Sequence, residues 1–119
     1  MTGLSILRQV YSLMDRPDAL AADDGNIGGL PLLNQIYGDL WRRECAEEPF
    51  VPLAHTRQEV ELSWRSLSAL TYGTAALLSL AEGNEAAYER FLERYTAVLP
   101  RVQGVPYRRA DLWPREGAV

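Results

Sequence analysis

Lysine is absent from this 119-residue chain, and cysteine and histidine occur once each, as Cys45 and His55. A single cysteine excludes an internal disulfide and fits a reducing compartment. One cysteine with one histidine cannot close a tetrahedral zinc shell. No apolar run approaches the roughly 20 residues that span a bilayer, so no membrane partner is expected. The opening residues, Met1-Thr2-Gly3-Leu4-Ser5, hold neither the basic segment nor the apolar block of a secretory signal, and synthesis in a cytosol is the expectation. A basic footprint is missing as well. The twelve basic residues, all arginine, are outnumbered by sixteen acids, and a net charge of −4 argues against a general nucleic-acid binder. Residues 1–60 carry that whole deficit, with nine acids and five arginines, whereas residues 61–119 hold seven of each. Arginine suits bidentate interface pairing, although GC-rich coding explains its exclusive use more simply.

The chain does have apolar residues, 47% of the total, enough for one packed domain. Leu4, Leu7, Val10, Tyr11 and Met14 recur at three- and four-residue spacing, which predicts a first helix from Leu4 to Arg16, stopped by Pro17. Residues 17–30 are polar and glycine-rich and read as a loop. A second helix is expected from Pro31 to about Glu47, burying Leu33, Ile36, Tyr37, Leu40 and Trp41. Prolines at 49 and 52 make Phe50-Val51-Pro52-Leu53 extended. Two starts compete for the third helix. Thr56-Arg57-Gln58-Glu59 matches a capping box, while polar–apolar alternation from Gln58 to Leu62 favours an extended arm with Ser63 as the cap.

From Ser63 to Glu82 the apolar positions include Trp64, Leu67, Leu70, Tyr72, Leu77 and Leu78, with small residues Gly73, Ala75 and Ala76 between them. Gly83 suits a left-handed stop, and Asn84 suits the N-cap of a fourth helix, to which Ala87, Tyr88, Phe91, Leu92, Tyr95, Val98 and Leu99 give a continuous apolar face. So short a link makes the two helices antiparallel. The prediction is an all-α fold: a small bundle of about four helices, with an extended arm before the third and an irregular C-terminal tail. Residues 1–101 form the domain and residues 102–119 an interaction tail. That tail mixes Val105, Tyr107, Leu112 and Trp113 with Arg108, Arg109 and Arg115, and docks on its own domain or on a neighbour.

Candidate chemistry is thin. Cys45 and His55 could act as thiolate and base, but a Pro-flanked loop separates them and no oxyanion site accompanies them, so Cys45 reads as a small semi-buried residue. Asp23-Asp24-Gly25-Asn26 lacks the alternating carboxylates and closing glutamate of a calcium loop. Gly25, Gly28 and Gly29 are followed by no Lys-Ser/Thr pair and form no phosphate cradle. Glu44, Glu47 and Glu48 read as a solvated helix end. Glu85, Glu89 and Glu93 with Arg90 and Arg94 read as a surface helix. Trp41 and Trp64 are expected in the core, and Trp113 is a candidate interface anchor. No enzyme, cofactor or metal is expected.

The stretches Leu33-Asn34-Gln35-Ile36-Tyr37-Gly38-Asp39-Leu40, Gln58-Glu59-Val60-Glu61-Leu62-Ser63, Leu67-Ser68-Ala69-Leu70-Thr71-Tyr72-Gly73-Thr74-Ala75-Ala76, Ala81-Glu82-Gly83-Asn84 and Phe91-Leu92-Glu93-Arg94-Tyr95 resemble tailed-bacteriophage head–tail connector (adaptor or head-completion) proteins. The resemblance covers residues 31–100. It implies a virion structural protein, made in the host bacterial cytoplasm, that forms a ring of about twelve copies under the portal and extends the DNA channel. Implied partners are the portal protein, neighbouring adaptor subunits and the next neck or tail protein. Packaged DNA would pass without sequence-specific binding, and an acidic channel face would keep it from sticking. The expected contacts lie on the arm, at Phe50, Val51 and Leu53, and on the tail, at Tyr107, Arg108, Arg109, Leu112 and Trp113. The alternative is a cellular α-helical protein-interaction or regulatory module. Neighbouring portal and capsid genes would separate the two.

Overall fold

The computed structural model describes residues 1–16, 29–45 and 47–103. Among them are four helices, α1 (Gly3–Leu13), α2 (Gly29–Glu44), α3 (Trp64–Ala81) and α4 (Glu85–Gln103), so the fold is all-α as the periodicity indicates. No helix among the described residues is long and apolar enough to cross a membrane. The loop at 17–28 and the expected tail contacts Tyr107, Arg108, Arg109, Leu112 and Trp113 lie outside the described residues.

Each helix end has a local cause. Thr2 caps α1, its Oγ1 accepting from the Ser5 amide at 3.1 Å. The chain leaves α1 three residues before Pro17 reaches it. Asp15 adopts a left-handed φ of 59°, and the Arg16 amide donates back to the Tyr11 carbonyl at 2.8 Å. α3 ends the same way: Gly83 has φ of 79°, and the Asn84 amide donates to the Ser79 carbonyl at 2.9 Å. Asn84 then turns its side chain to the Ala87 amide at 3.1 Å, which starts α4. α2 begins two residues before Pro31 and stops at Glu44, shorter at its end than expected. Of the two starts for α3, the one with Ser63 as N-cap residue is observed, and residues 49–62 carry no helix.

α3 is the central element and touches the other three helices. Its buried face is built mainly from small residues: Ser66, Ala69, Gly73, Thr74, Ala75, Ala76 and Ser79, with Leu70 and Leu78 between them. Small side chains let neighbours approach closely. A Cβ on Gly73 would lie 2.8 Å from Ile36 Cγ2 of α2 and 3.0 Å from the Tyr95 ring of α4. α1 runs parallel to α3, since Thr2 bridges to Glu59 ahead of α3, Gln9 meets Thr71 and Arg16 pairs with Glu82 at its end. Ile6, Leu7, Val10, Leu33, Leu40 and Leu70 are fully enclosed at the centre.

Trp64 departs from expectation: it is 75% exposed rather than in the core. The buried stripe of α3 runs through residues 66, 69/70 and 73, and position 64 falls on the opposite side of the helix. The Arg65 guanidinium lies over its ring, 5.3 Å from the centroid.

Candidate functional site

The most constructed part of the surface is the arm, residues 47–62, which crosses α2 and the start of α1. Asn34, Tyr37, Trp41 and Glu44 lie along one stripe of α2 at three- and four-residue spacing, and each fastens a different point of the chain between 48 and 66. The Asn34 side-chain amide donates to the Leu53 carbonyl at 3.0 Å, and its oxygen accepts from the Leu53 amide at 2.9 Å. The Tyr37 hydroxyl accepts from the Glu61 amide at 3.0 Å. Trp41 Nε1 donates to the Glu48 carbonyl at 2.9 Å. The Glu44 carboxylate accepts from the Ser63 amide at 3.1 Å, from the Ser63 hydroxyl at 2.7 Å and from the Ser66 hydroxyl.

Apolar packing completes the brace. Phe50 lies edge-on to Tyr37, with ring centroids 5.1 Å apart, and rests over Gly38. Leu53 is inserted against Gly3, where any side chain would collide with it. On the other side the arm pairs with the start of α1: the Gly3 amide donates to the Gln58 carbonyl, the Leu4 amide to the Thr56 carbonyl and the Val60 amide to the Met1 carbonyl. Gln58 closes the turn at 54–58 by accepting from the His55 amide rather than by opening a helix.

Of the expected arm contacts, Leu53, at 7% exposure, packs in the chain's own core, Phe50 is half-buried in the aromatic cluster of α2, and Val51 is 73% exposed. Glu44 is not the solvated helix end expected. It is 3% exposed, because the start of α3 folds over it. Glu47 fits the solvated reading.

Cys45 is buried at 5% exposure, while His55 is exposed, which splits the pair between interior and surface. Among the described residues no group of three or more His, Cys, Asp or Glu side chains is arranged to hold a metal ion. Asp23, Asp24 and Asn26 lie outside the described residues. Among the described residues the one perturbed acidity is at Tyr95, where burial pushes the phenol up, the Asp39 carboxylate adds to this and Arg43 opposes it.

What the arrangement offers is a stiff, shaped surface. Beneath the arm a cleft of about 320 Å³ has Tyr37 and Trp41 on one wall and Val51, Glu59 and Glu61 on the other. The bracing residues Asn34 and Glu44 escaped the sequence reading; the available signal was polar groups spaced at 34, 37, 41 and 44 along an otherwise apolar helix face. No family model matches the chain, and neither does any curated protein or solved structure.

Proposed function

We propose that this chain is a structural adaptor of a tailed-phage virion, a head–tail connector that joins a ring under the portal and extends the DNA channel. The observation that carries the reading is the braced arm. An extended segment held at four points by one stripe of α2 has lost its conformational freedom before it meets a partner, and contacts made by such a segment cost little ordering entropy. Val51 on its crest is open to a partner. The resemblance to connector proteins over residues 31–100 supports the same assignment. On this reading the partners are the portal protein, neighbouring adaptor subunits and the next neck or tail protein, with packaged DNA passing through unread.

The test is recruitment of the purified chain to portal-bearing capsids, followed by sedimentation. Val51→Asp, and separately deletion of residues 102–119, are expected to leave the helical signal intact and abolish co-sedimentation. Failure of the wild-type chain to bind such particles would overturn the adaptor reading and favour the cellular interaction module. Undiminished binding by both variants would remove the arm and tail as contacts.

A further inference from the structure

Charge on this molecule is sorted in space. The arm carries Glu47, Glu48, Glu59 and Glu61 against a single arginine, Arg57, a net charge of −3. Glu47, Glu59 and Glu61 are exposed, Glu59 and Glu61 line the same cleft as Val51, and Glu59 also pairs with the Met1 ammonium at 3.2 Å. A separate cleft of about 490 Å³ lies along the seam of α1 and α3, lined by Arg8, Ser12 and Leu13 of α1 and by Ser68 and Tyr72 of α3. Past Leu13 and Tyr72 it continues to Phe91, Arg90 and Arg94. The Arg94 guanidinium lies 5.8 Å from the Tyr72 centroid and that of Arg90 lies 5.2 Å from the Phe91 centroid. Arg8, Arg90 and Arg94 form no ion pair among the described residues, and no described carboxylate lines the cleft. Glu89 and Glu93 line the adjoining groove of α4, with Leu92.

We infer that the arm of one copy docks in the cleft of a second copy that follows the α1–α3 seam and continues to α4. Val51 meets Leu13 and Tyr72, and the arm carboxylates meet Arg8, Arg90 and Arg94. The two patches share no residue, so the contact is heterologous: each copy offers one arm and one cleft, and repetition generates a ring or an open filament. Arginine held over an aromatic face keeps its in-plane donors available to carboxylates. This inference rests on the adaptor reading and names the occupant that a neighbouring subunit supplies.

The experiment is a charge swap in the full chain. One variant carries Arg90→Glu and Arg94→Glu, the other Glu59→Arg and Glu61→Arg, with folding checked by circular dichroism. Association is followed by sedimentation velocity at low and high salt, and copies per particle are counted on portal-bearing capsids. The wild-type chain is expected to associate, in solution or on the particle, and to do so more weakly as salt rises. Each variant alone should lose association by about tenfold or more, and an equimolar mixture should regain it, since the mixture restores both arm–cleft pairings. Unchanged association of the single variants, or a mixture no better than its components, overturns the inference. If the variants join particles at wild-type copy number, self-docking fails while the adaptor reading stands. If the arginine variant alone is lost from particles and the arm variant does not restore it, the cleft serves another protein and self-docking is again overturned.

Discussion

The carboxylate of Glu44, at the end of α2, accepts a 2.7 Å hydrogen bond from the hydroxyl of Ser63, the residue that opens α3. Ser63 itself makes no side-chain cap bond to α3. The cap is supplied from another helix, 19 residues away, and a negative group at a helix N-terminus also meets the positive end of its dipole. The same carboxylate accepts from the Ser66 hydroxyl, so one side chain joins two helices and fixes the end of the arm between them.

Removing that carboxylate is expected to be costly. Glu44→Ala leaves three donors in a closed site without an acceptor and should lower unfolding free energy by roughly 2–4 kcal/mol, measured by urea denaturation. Glu44→Gln keeps one acceptor oxygen and should lose about half as much. Glu47→Ala, on the solvated side, should stay within about 0.5 kcal/mol of the parent.

Two glycines separate backbone strain from steric exclusion. Gly83→Ala meets nothing within 4 Å but must hold φ of 79°, so a cost of about 1 kcal/mol is expected, largely relieved in Gly83→Asn. Gly73→Ala gains up to about 1 kcal/mol of helix propensity. It also drives a methyl into Ile36 and the Tyr95 ring, and overpacking of about 1–3 kcal/mol should leave it destabilised on balance. In Gly73→Ala the loss should shrink when Tyr95 is also shortened to leucine; additive losses would mean that the methyl does not act through the ring.

The raised pKa of Tyr95 predicts an alkaline weakness. Its phenol ionises later in the folded chain than in the unfolded one, whose reference value is 10.0. Stability tied to this group is therefore complete below that pH and is lost as pH rises through it and beyond. Thermal melts across the alkaline range should fall more steeply for the parent than for Tyr95→Phe. Parallel slopes would count against the assignment.

Thr74 sits fully enclosed in α3 with a hydroxyl that has no hydrogen-bond partner. Thr74→Val keeps the shape and removes the orphaned polar group, so a gain of about 1 kcal/mol in urea denaturation is expected.

The parts of the fold legible in the sequence were those governed by neighbours along the chain. The faces of α1 and α2, the stop at Gly83 and the cap at Asn84 all follow from spacing and local conformational preference. Trp64 was misplaced because a large apolar residue near a helix start looks like core, whereas the real buried face of α3 consists of small residues that draw its partners in. The burial of Leu53 is not legible locally, because its tertiary hydrogen bonds with Asn34 turn it inward. Glu44 resembled every other glutamate at a helix end. Its role depends on where Ser63 arrives in space, and no local pattern encodes that.

The attachment of the first residues to positions far along the chain has a consequence for synthesis. Thr2 bridges to Glu59, and Arg16 pairs with Glu82. α1 precedes the other helices, and although it also touches α2, its partners Glu59 and Glu82 leave the ribosome some 50–70 residues later. α3 and α4, joined by the shortest link, need only each other, and local pairings of this kind form fastest. Much of the apolar face of α1 therefore stays open to chaperones and to neighbouring nascent chains until α3 emerges.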